Sequence, residues 1–481
     1  MPSFQKKKIT QSIPENKSKL KRHIFTAFGV FFMLFFIYQA GAQVIDGISS
    51  TKVVKFFSGF FGKDLLIDEN GHTNILLLGV GGEKHEGGTL TDSIIIASIN
   101  HDKNSVALIS IPRDFYVKST LGSFRINQIF EEASSRWDEQ QGLDFTKNSI
   151  QEIFDVPLHY VVKVDFRGVE AIVDAVNGIA IYVESPIYDP LYPKGETYDY
   201  ETFKLARGLQ HLDGKTALKY MRSRKSSSDF DRSRRQQDVL VALKQKALNE
   251  NILKRASYIK DVYNSLNDNL STTLTIREIL ALADFAKEWD SKSLSTATLN
   301  DEPIYTGGFL YTPLRSLYGG AFVLLPAGDN FDSMRSFASL VLYGPPKIKT
   351  YPLSILNGTG INGLAGKANA ILNRYGANII KVANGQNKGI ETTTWYAQNE
   401  QASEVATALQ KILPGKISKE VPLEYQEIFS ETPNGILLEL GNDSQEIISK
   451  LDIFRNIFQL TPTPTEPVAT TEAPILPEPI Q

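Results

Sequence analysis

Apolar residues recur along this chain with three spacings. One is continuous: Ile24 to Ile45 is a run of 22 residues without a charge, long enough at ~1.5 Å per residue to cross the ~30 Å hydrocarbon core of a bilayer as a helix. The second is a set of short, β-branched runs bounded by turn residues. Ile75–Val80, Ser93–Ile99, Val106–Ile111, Tyr160–Val164 and Ile179–Val183 predict buried strands. The third is helical. Val169, Ile172, Val173 and Val176 predict a helix over 166–176, which Asn177-Gly178 stops. Strands alternating with helices predict an α/β domain over residues 72–344, its sheet covered on both faces. After a linker at 345–350, marked by Pro345-Pro346, a smaller α/β unit is predicted over 351–440. Its strands are Tyr351–Leu356, Asn378–Val382 and Gly435–Leu440, and its helix is Leu364–Tyr375, closed by Gly376. Residues 441–460 form an extension. Residues 461–481 are a Pro/Thr segment that cannot bury a core, which predicts disorder.

Charge orients the apolar run. Lys6, Lys7, Lys8, Lys17, Lys19, Lys21 and Arg22 precede it, against the single acid Glu15. The positive-inside rule then makes residues 1–23 a cytoplasmic tail and 24–45 a single-pass anchor in the cell membrane, with the chain beyond Asp46 extracytoplasmic. Ala40-Gly41-Ala42 offers the alternative of a cleaved signal peptide, and either reading exports the rest. Residues 46–71 are juxtamembrane, with Phe56, Phe57, Phe60 and Phe61 able to lie on lipid or on the next domain. The chain has no cysteine, which excludes disulfides and thiolate metal sites, and its net charge of −3 makes no case for a nucleic-acid partner.

Candidate chemistry gathers in four places. Arg222, Arg224, Arg232, Arg234 and Arg235 lie within 222–235, and Val239, Leu240, Leu243 and Ala247 then share one helical face. The arginines are therefore predicted at a helix N-terminus, where the dipole favours anions and planar guanidinium groups pair with phosphate. A solvated loop, or ion pairing with Asp229 and Asp231, explains the same pattern. Ser110-Ile111-Pro112-Arg113-Asp114 closes a strand, so Arg113 is predicted to reach a ligand at a sheet edge while Asp114 orients it. Leu90-Thr91-Asp92-Ser93 follows a glycine-rich loop that holds Glu83, His85 and Glu86. A carboxylate here suits Mg2+, which takes oxygen ligands and accompanies phosphates; the plainer reading of Asp92 is a turn cap. Lastly, Gly358 to Gly363 matches a dinucleotide-loop spacing but lacks the acid about 20 residues on, and reads as a tight strand-to-helix turn.

Taken together these segments resemble the LytR-CpsA-Psr family. The resemblance is carried by NILLLGVGG (74–82), LTDSIIIASIN (90–100), VALISIPRDFYV (106–117) and RIN (125–127). It continues through HYVVKVDFRGVEAIVDAVNGIAIYV (159–183), GLQHLDGKTALKYMRSR (208–224) and DFDRSRRQQDVL (229–240), in the family's order. Residues 351–380 look like the C-terminal domain that often accompanies it. The resemblance implies a central mixed sheet flanked by helices, a long apolar pocket for a polyprenyl chain, and an enzyme of cell-wall biogenesis. Such an enzyme moves a glycopolymer phosphate from a polyprenyl-pyrophosphate carrier to peptidoglycan or another envelope acceptor, with pyrophosphatase activity as a side reaction. It implies Arg113, Arg222, Arg224, Arg232, Arg235 and Gln236 as pyrophosphate ligands, Asp92 and Arg113 as catalytic, and Asp92 beside a Mg2+ or Mn2+ ion.

Two departures stand out. Val80-Gly81-Gly82 replaces an acid that many members carry after the first strand, and Leu90 replaces an arginine. Glu83, His85 or Glu86 are the candidates for a second metal ligand. The departures keep open a non-catalytic lipid-pyrophosphate binding protein. A membrane-bound transcriptional attenuator is the remote alternative, since about 23 residues inside the cell are too few to read DNA.

Overall fold

The computed structural model describes residues 65–82, 87–194, 199–223, 229–249, 256–266, 269–290, 293–299, 308–328, 330–345, 348–432 and 434–452. The expected anchor and its flanks, Glu83, His85, Glu86, Arg224 and the tail from 453 lie outside them. Among the described residues no helix is long and apolar enough to cross a membrane.

The first part of the chain supplies β1 (His72–Val80), β2 (Thr91–Asn100), β3 (Ser105–Ile111), β4 (Tyr116–Ser119), β5 (Gly122–Arg125), β6 (Tyr160–Val164), β7 (Ile179–Val183), β8 (Ile187–Pro193), β9 (Tyr200–Leu205), β10 (Gly208–Leu212), β11 (Leu270–Thr272) and β12 (Leu294–Thr298). Six of them form a mixed sheet in the order β11-β6-β1-β2-β3-β12. β1 runs parallel to β6 and antiparallel to β2; β3 runs antiparallel to β2 and parallel to β12. This pairing brings the C-terminal ends of β1, β3, β6 and β12 and the start of β2 to one edge of the sheet.

The central strands read as near-continuous apolar runs because both their faces are covered. Leu76, Leu78, Ile94, Ile96, Ile109 and Ile111 pack on one face, under α1 (Ile129–Arg136) and α2 (Glu139–Phe154). Ile95, Ala97 and Leu108 pack on the other. There Leu240 of α5 (Asp229–Asn249) packs on the sheet, while α3 (Phe166–Ala175) and α4 (Gly214–Arg222) share a separate core with the other side of α5. The carboxylates of Asp138, Asp165 and Asp213 accept from the amides of Gln141, Gly168 and Thr216 and so start α2, α3 and α4, satisfying orphan donors at each N-terminus. α3 ends as the sequence predicts. Asn177 and Gly178 have φ of 57° and 79°, and a Cβ on Gly178 would lie 2.7 Å from His211 Nε2.

A β-ribbon follows α3. β7 pairs with β10 and β8 with β9, all antiparallel, so these four strands form two successive layers of one arm. Its inner residues Ile179, Ile181, Tyr192, Phe203 and Leu212 share a core with Tyr220 and Val239 of α4 and α5. Apart from β7, the arm lies in a stretch for which the hydrophobic pattern predicts no element. α6 (Ala256–Ser265) and α7 (Ile276–Glu288) precede β12, and β13 (Leu310–Tyr311) and β14 (Leu325–Pro326) precede α8 (Asp332–Tyr343).

The second unit is a five-stranded sheet of order β16-β15-β19-β17-β18, built from β15 (Pro352–Asn357), β16 (Asn378–Asn384), β17 (Thr394–Ala397), β18 (Lys416–Ser418) and β19 (Ile436–Leu440). α9 (Leu364–Arg374) packs on β15 and β16. Residues 345–350 do not separate two cores. Phe309 lies 4.6 Å from the Phe337 ring of α8 and 5.3 Å from Tyr375, and one apolar cluster runs from Leu76 through Phe337 to Trp395.

Candidate active site

The site lies at the sheet edge where five strand ends meet. β3 stops at Ile111 because Pro112 has no N–H for the ladder, and Arg113 leaves the sheet there. The register that pairs Ile94 with Ile111 carries Asp92 opposite Arg113, and Arg113 Nη1 donates to Asp92 Oδ1 at 2.8 Å. Arg113 Nε lies 3.5 Å from Asp114 Oδ2, and Arg125 Nη1 donates to Asp114 Oδ1 at 3.3 Å. Asp114 is 6% exposed; a carboxylate that dry is tolerated when guanidinium groups compensate it. Asp114 thus lies between Arg113 and Arg125, and its contact with Arg113 Nε is an ion pair rather than a hydrogen bond. Asn127 joins the motifs: its N–H donates to Arg113 O at 3.3 Å and its carbonyl accepts from the Thr91 hydroxyl at 3.2 Å. Its own Oδ1 is buried with no hydrogen-bond partner among the described residues.

The second wall comes from α5. Gln237 Nε2 donates to Ser110 Oγ at 3.0 Å and seats the helix on the end of β3. Arg232 and Gln236, four residues apart and so on one helix face, then reach the same cavity. The cavity holds about 210 Å³ and is lined by Asp92, Ser110, Pro112, Arg113, Asp114, Arg232, Gln236 and Thr298, with Ile94, Ile111, Phe322 and Leu324 as its apolar side.

The other arginines are placed differently. Arg222 is not at a helix N-terminus, where the sequence pattern puts it, but in the last turn of α4. Its guanidinium lies 3.9 Å over the Phe166 ring and 5.6 Å from that of Tyr192. Burial pushes the Tyr192 phenol up, and the Arg222 charge opposes that. Arg235 donates through Nη2 to the carbonyl of Ser223, whose hydroxyl donates to the buried Asp189 at 2.9 Å. Arg235 therefore holds the turn that follows Arg222, and neither residue is among those lining the cavity. Arg234 pairs with Glu184 at 2.8 Å on the surface. Glu83, Glu86 and Arg224 lie outside the described residues.

Sequence reasoning missed Gln237 and Arg125; the RIN segment was the one signal for the latter. It also missed Asp165 at the end of β6. Gly82 has φ 93°, and a Cβ there would lie 3.1 Å from Asp165 Oδ2. Asp165 so brings a carboxylate against the loop after β1, and burial pushes its pKa up. Among the described residues no three His, Cys, Asp or Glu side chains gather as a metal cluster. Two carboxylates line the cavity with two arginines, and Asp92, the more exposed of them, fits Mg2+, which keeps waters and takes one or two carboxylates beside substrate phosphates.

A family model described as the LytR_cpsA_psr family matches residues 31–317, and one described as LytR cell envelope-related transcriptional attenuator matches 350–442. The polyisoprenyl-teichoic acid–peptidoglycan teichoic acid transferase TagT of Bacillus subtilis (strain 168) is 27% identical over 284 residues, 58% of this chain and 79% of its own length. The like-named transferase TagU of Bacillus licheniformis is 26% identical over 253 residues, 52% of this chain and 76% of its own. Among solved structures, B. subtilis TagV aligns with a TM-score of 0.43 at 23% identity, covering 57% of this chain and 98% of that one. TagT bound to LIIa-WTA aligns at 0.43 and 24% identity, covering 58% and 94%.

Proposed function

This chain belongs to the LytR-CpsA-Psr family, whose model spans residues 31–317, and from that membership we propose that it transfers a glycopolymer phosphate from a polyprenyl-pyrophosphate carrier to peptidoglycan or another envelope acceptor. An acceptor hydroxyl attacks the glycan-side phosphorus, the bridging P–O bond breaks, and polyprenyl phosphate leaves. Such a reaction needs in-line positioning and charge neutralisation more than covalent help. The observation that carries this reading is the placing of Arg113 and Arg232, from different elements, on one cavity with the carboxylate of Asp92. In it Arg113 gives up its bond to Asp92 for phosphate oxygens, with its Nε still paired with Asp114. Arg232 and Gln236 close on the same group. Asp92, so released, orients the acceptor hydroxyl or holds a Mg2+ (or Mn2+) ion, whose chemistry when bound is to neutralise phosphate charge. Arg222, Arg224 and Arg235 complete the reading as further pyrophosphate ligands or their supports. Water in place of the acceptor gives pyrophosphatase activity. The chain works from a single N-terminal anchor, because its donor is itself a membrane lipid.

The test is release of polyprenyl phosphate coupled to labelled acceptor, with purified full-length protein, lipid-linked donor and Mg2+. Donor binding without turnover favours a second reading, a non-catalytic lipid-pyrophosphate binding protein. The observation on that side is Val80-Gly81-Gly82, which puts no acid directly at the end of β1.

A further inference from the structure

The β-ribbon arm has one face fully used and one face that no other described residue covers. Its inward residues share a core with α4 and α5. Its outward face carries Tyr182 directly opposite Leu209, then Tyr188, Leu191 and Tyr200 on the outer half. Leu209 is 72% and Tyr200 62% exposed. Monomeric proteins seldom leave large apolar groups adjacent in water, and such patches mark binding surfaces.

The chemistry of the face narrows the occupant. Tyrosine combines an apolar ring with a polar tip and collects where hydrocarbon meets water, with aliphatic side chains just below it. Lys204 and Arg207 are exposed on the same arm, and the Lys204 ammonium sits 5.3 Å over the Tyr188 ring. Of the described acids on the arm, Glu184 pairs with Arg234 at 2.8 Å and Glu201 with Lys219 at 2.5 Å, Asp189 is buried and accepts from the Ser223 hydroxyl, and Asp199 is exposed beside Tyr200. An apolar, tyrosine-bearing face that carries Lys204 and Arg207 and has Glu184 and Glu201 paired complements an anionic lipid surface.

We propose that the outward face of strands β7 to β10 docks on the anionic headgroup layer of the membrane. This rests on the reading of the site as one that takes a lipid-borne donor. The arm packs directly on α4 and α5, which carry Arg222, Arg232 and Gln236. Docking its outer face brings those helices to within about one packing layer, ~10 Å, of the headgroup layer in which a polyprenyl pyrophosphate carries its phosphates.

The chain lacks cysteine, so single labels are unambiguous. L209C, Y182C, F35C in the apolar run and L423C, a position 82% exposed in the second unit, each receive a fluorophore in the full-length protein. The protein is reconstituted in vesicles of phosphatidylcholine and phosphatidylglycerol with a nitroxide on the lipid headgroup. Labels at 209 and 182 are expected to be quenched severalfold more than that at 423. In L209C, adding K204Q with R207Q should lower that quenching, each cation contributing about fivefold to partitioning on an anionic surface. Labels at 209 and 182 as unquenched as that at 423, with 35 buried in lipid, overturn the docking and leave the enzyme reading intact. Water-exposed labels at 35, 182 and 209 overturn both the docking and the anchor. Shielding of 209 by soluble peptidoglycan fragments but not by lipid would assign the face to the acceptor and overturn the proposal.

Discussion

Arg113 shows how little of a residue's role is local. It leaves β3 at a proline, meets a carboxylate 21 positions away at 2.8 Å, and has its Nε held 3.5 Å from its own neighbour's carboxylate. If it neutralises developing charge, Arg113→Lys keeps the charge and loses the planar fork. Turnover should fall by roughly 100-fold, the worth of one preorganised donor, with the thermal midpoint nearly unchanged. Arg113→Lys with Arg232→Lys should be non-additive, because both act on one group; strictly additive losses would place them on separate groups. Asp114→Asn should behave oppositely. It leaves Arg113 and Arg125 against a neutral amide in a buried place and should cost about 1–3 kcal/mol of stability, read by urea unfolding. The Pro-Arg-Asp sequence announces the pairing of Asp114 with Arg113, since the two residues are adjacent. Nothing in the sequence announces that Arg222 stacks on Phe166, because the two belong to different helices.

At the scale of elements, the site depends on how α5 is seated. Its apolar stripe says that it packs, and the bond from Gln237 to Ser110, 127 positions apart, decides where along the sheet it does so. The strands were legible for a plain reason: strands covered on both faces read as uninterrupted β-branched runs. The outer half of the ribbon arm was not, because β8 is interrupted by Pro190 and puts Tyr188 and Leu191 outward while β9 puts Glu201 on its inner side, and both blur the alternation that marks a half-buried strand. The turn that starts the arm gives a sharp test. Gly178 has φ 79°, and a Cβ there would meet His211 Nε2 at 2.7 Å and Leu212 O at 2.8 Å. Gly178→Ala should cost about 1–3 kcal/mol through strain and loosen β10 from β7, visible as faster amide exchange at residues 208–212. Unchanged exchange there would show that the turn does not govern the arm.

Over the whole molecule, the apolar cluster that joins the two sheets predicts one unfolding event rather than two. Phe309, between Phe337 and Tyr375, is the test residue. Phe309→Ala should cost about 3–5 kcal/mol and lower a single calorimetric transition; two resolved transitions in the unaltered chain would contradict the shared core. A pH dependence follows from the far end of the sheet. His72, His101 and His159 are all held below the ordinary histidine value, by burial first in each case. The folded chain therefore binds fewer protons than the unfolded one below a pH of ~6.5. Stability is fully present above that value and should fall as the pH drops through the depressed folded values, as denaturation midpoints between neutral and acid pH will show. A chain with equal midpoints across that range would not be using these histidines in neutral form.

The amino-acid sequence by itself determined the central strands, the helix over 166–175 and its stop, three of the five strands of the smaller second sheet, and the motifs through which family membership was read. Each of these rests on spacing within a short stretch, or on a string of residues that keeps its identity wherever it lies. Only the tertiary structure decided that Asp92, Arg113, Arg232 and Gln236 share a cavity while Arg222 and Arg235 stand off it, and that two predicted domains share one core. Periodicity records which side of an element is buried and nothing about what covers it. The partner is chosen by strand order and register, which are settled only when distant segments compete for the same apolar surface.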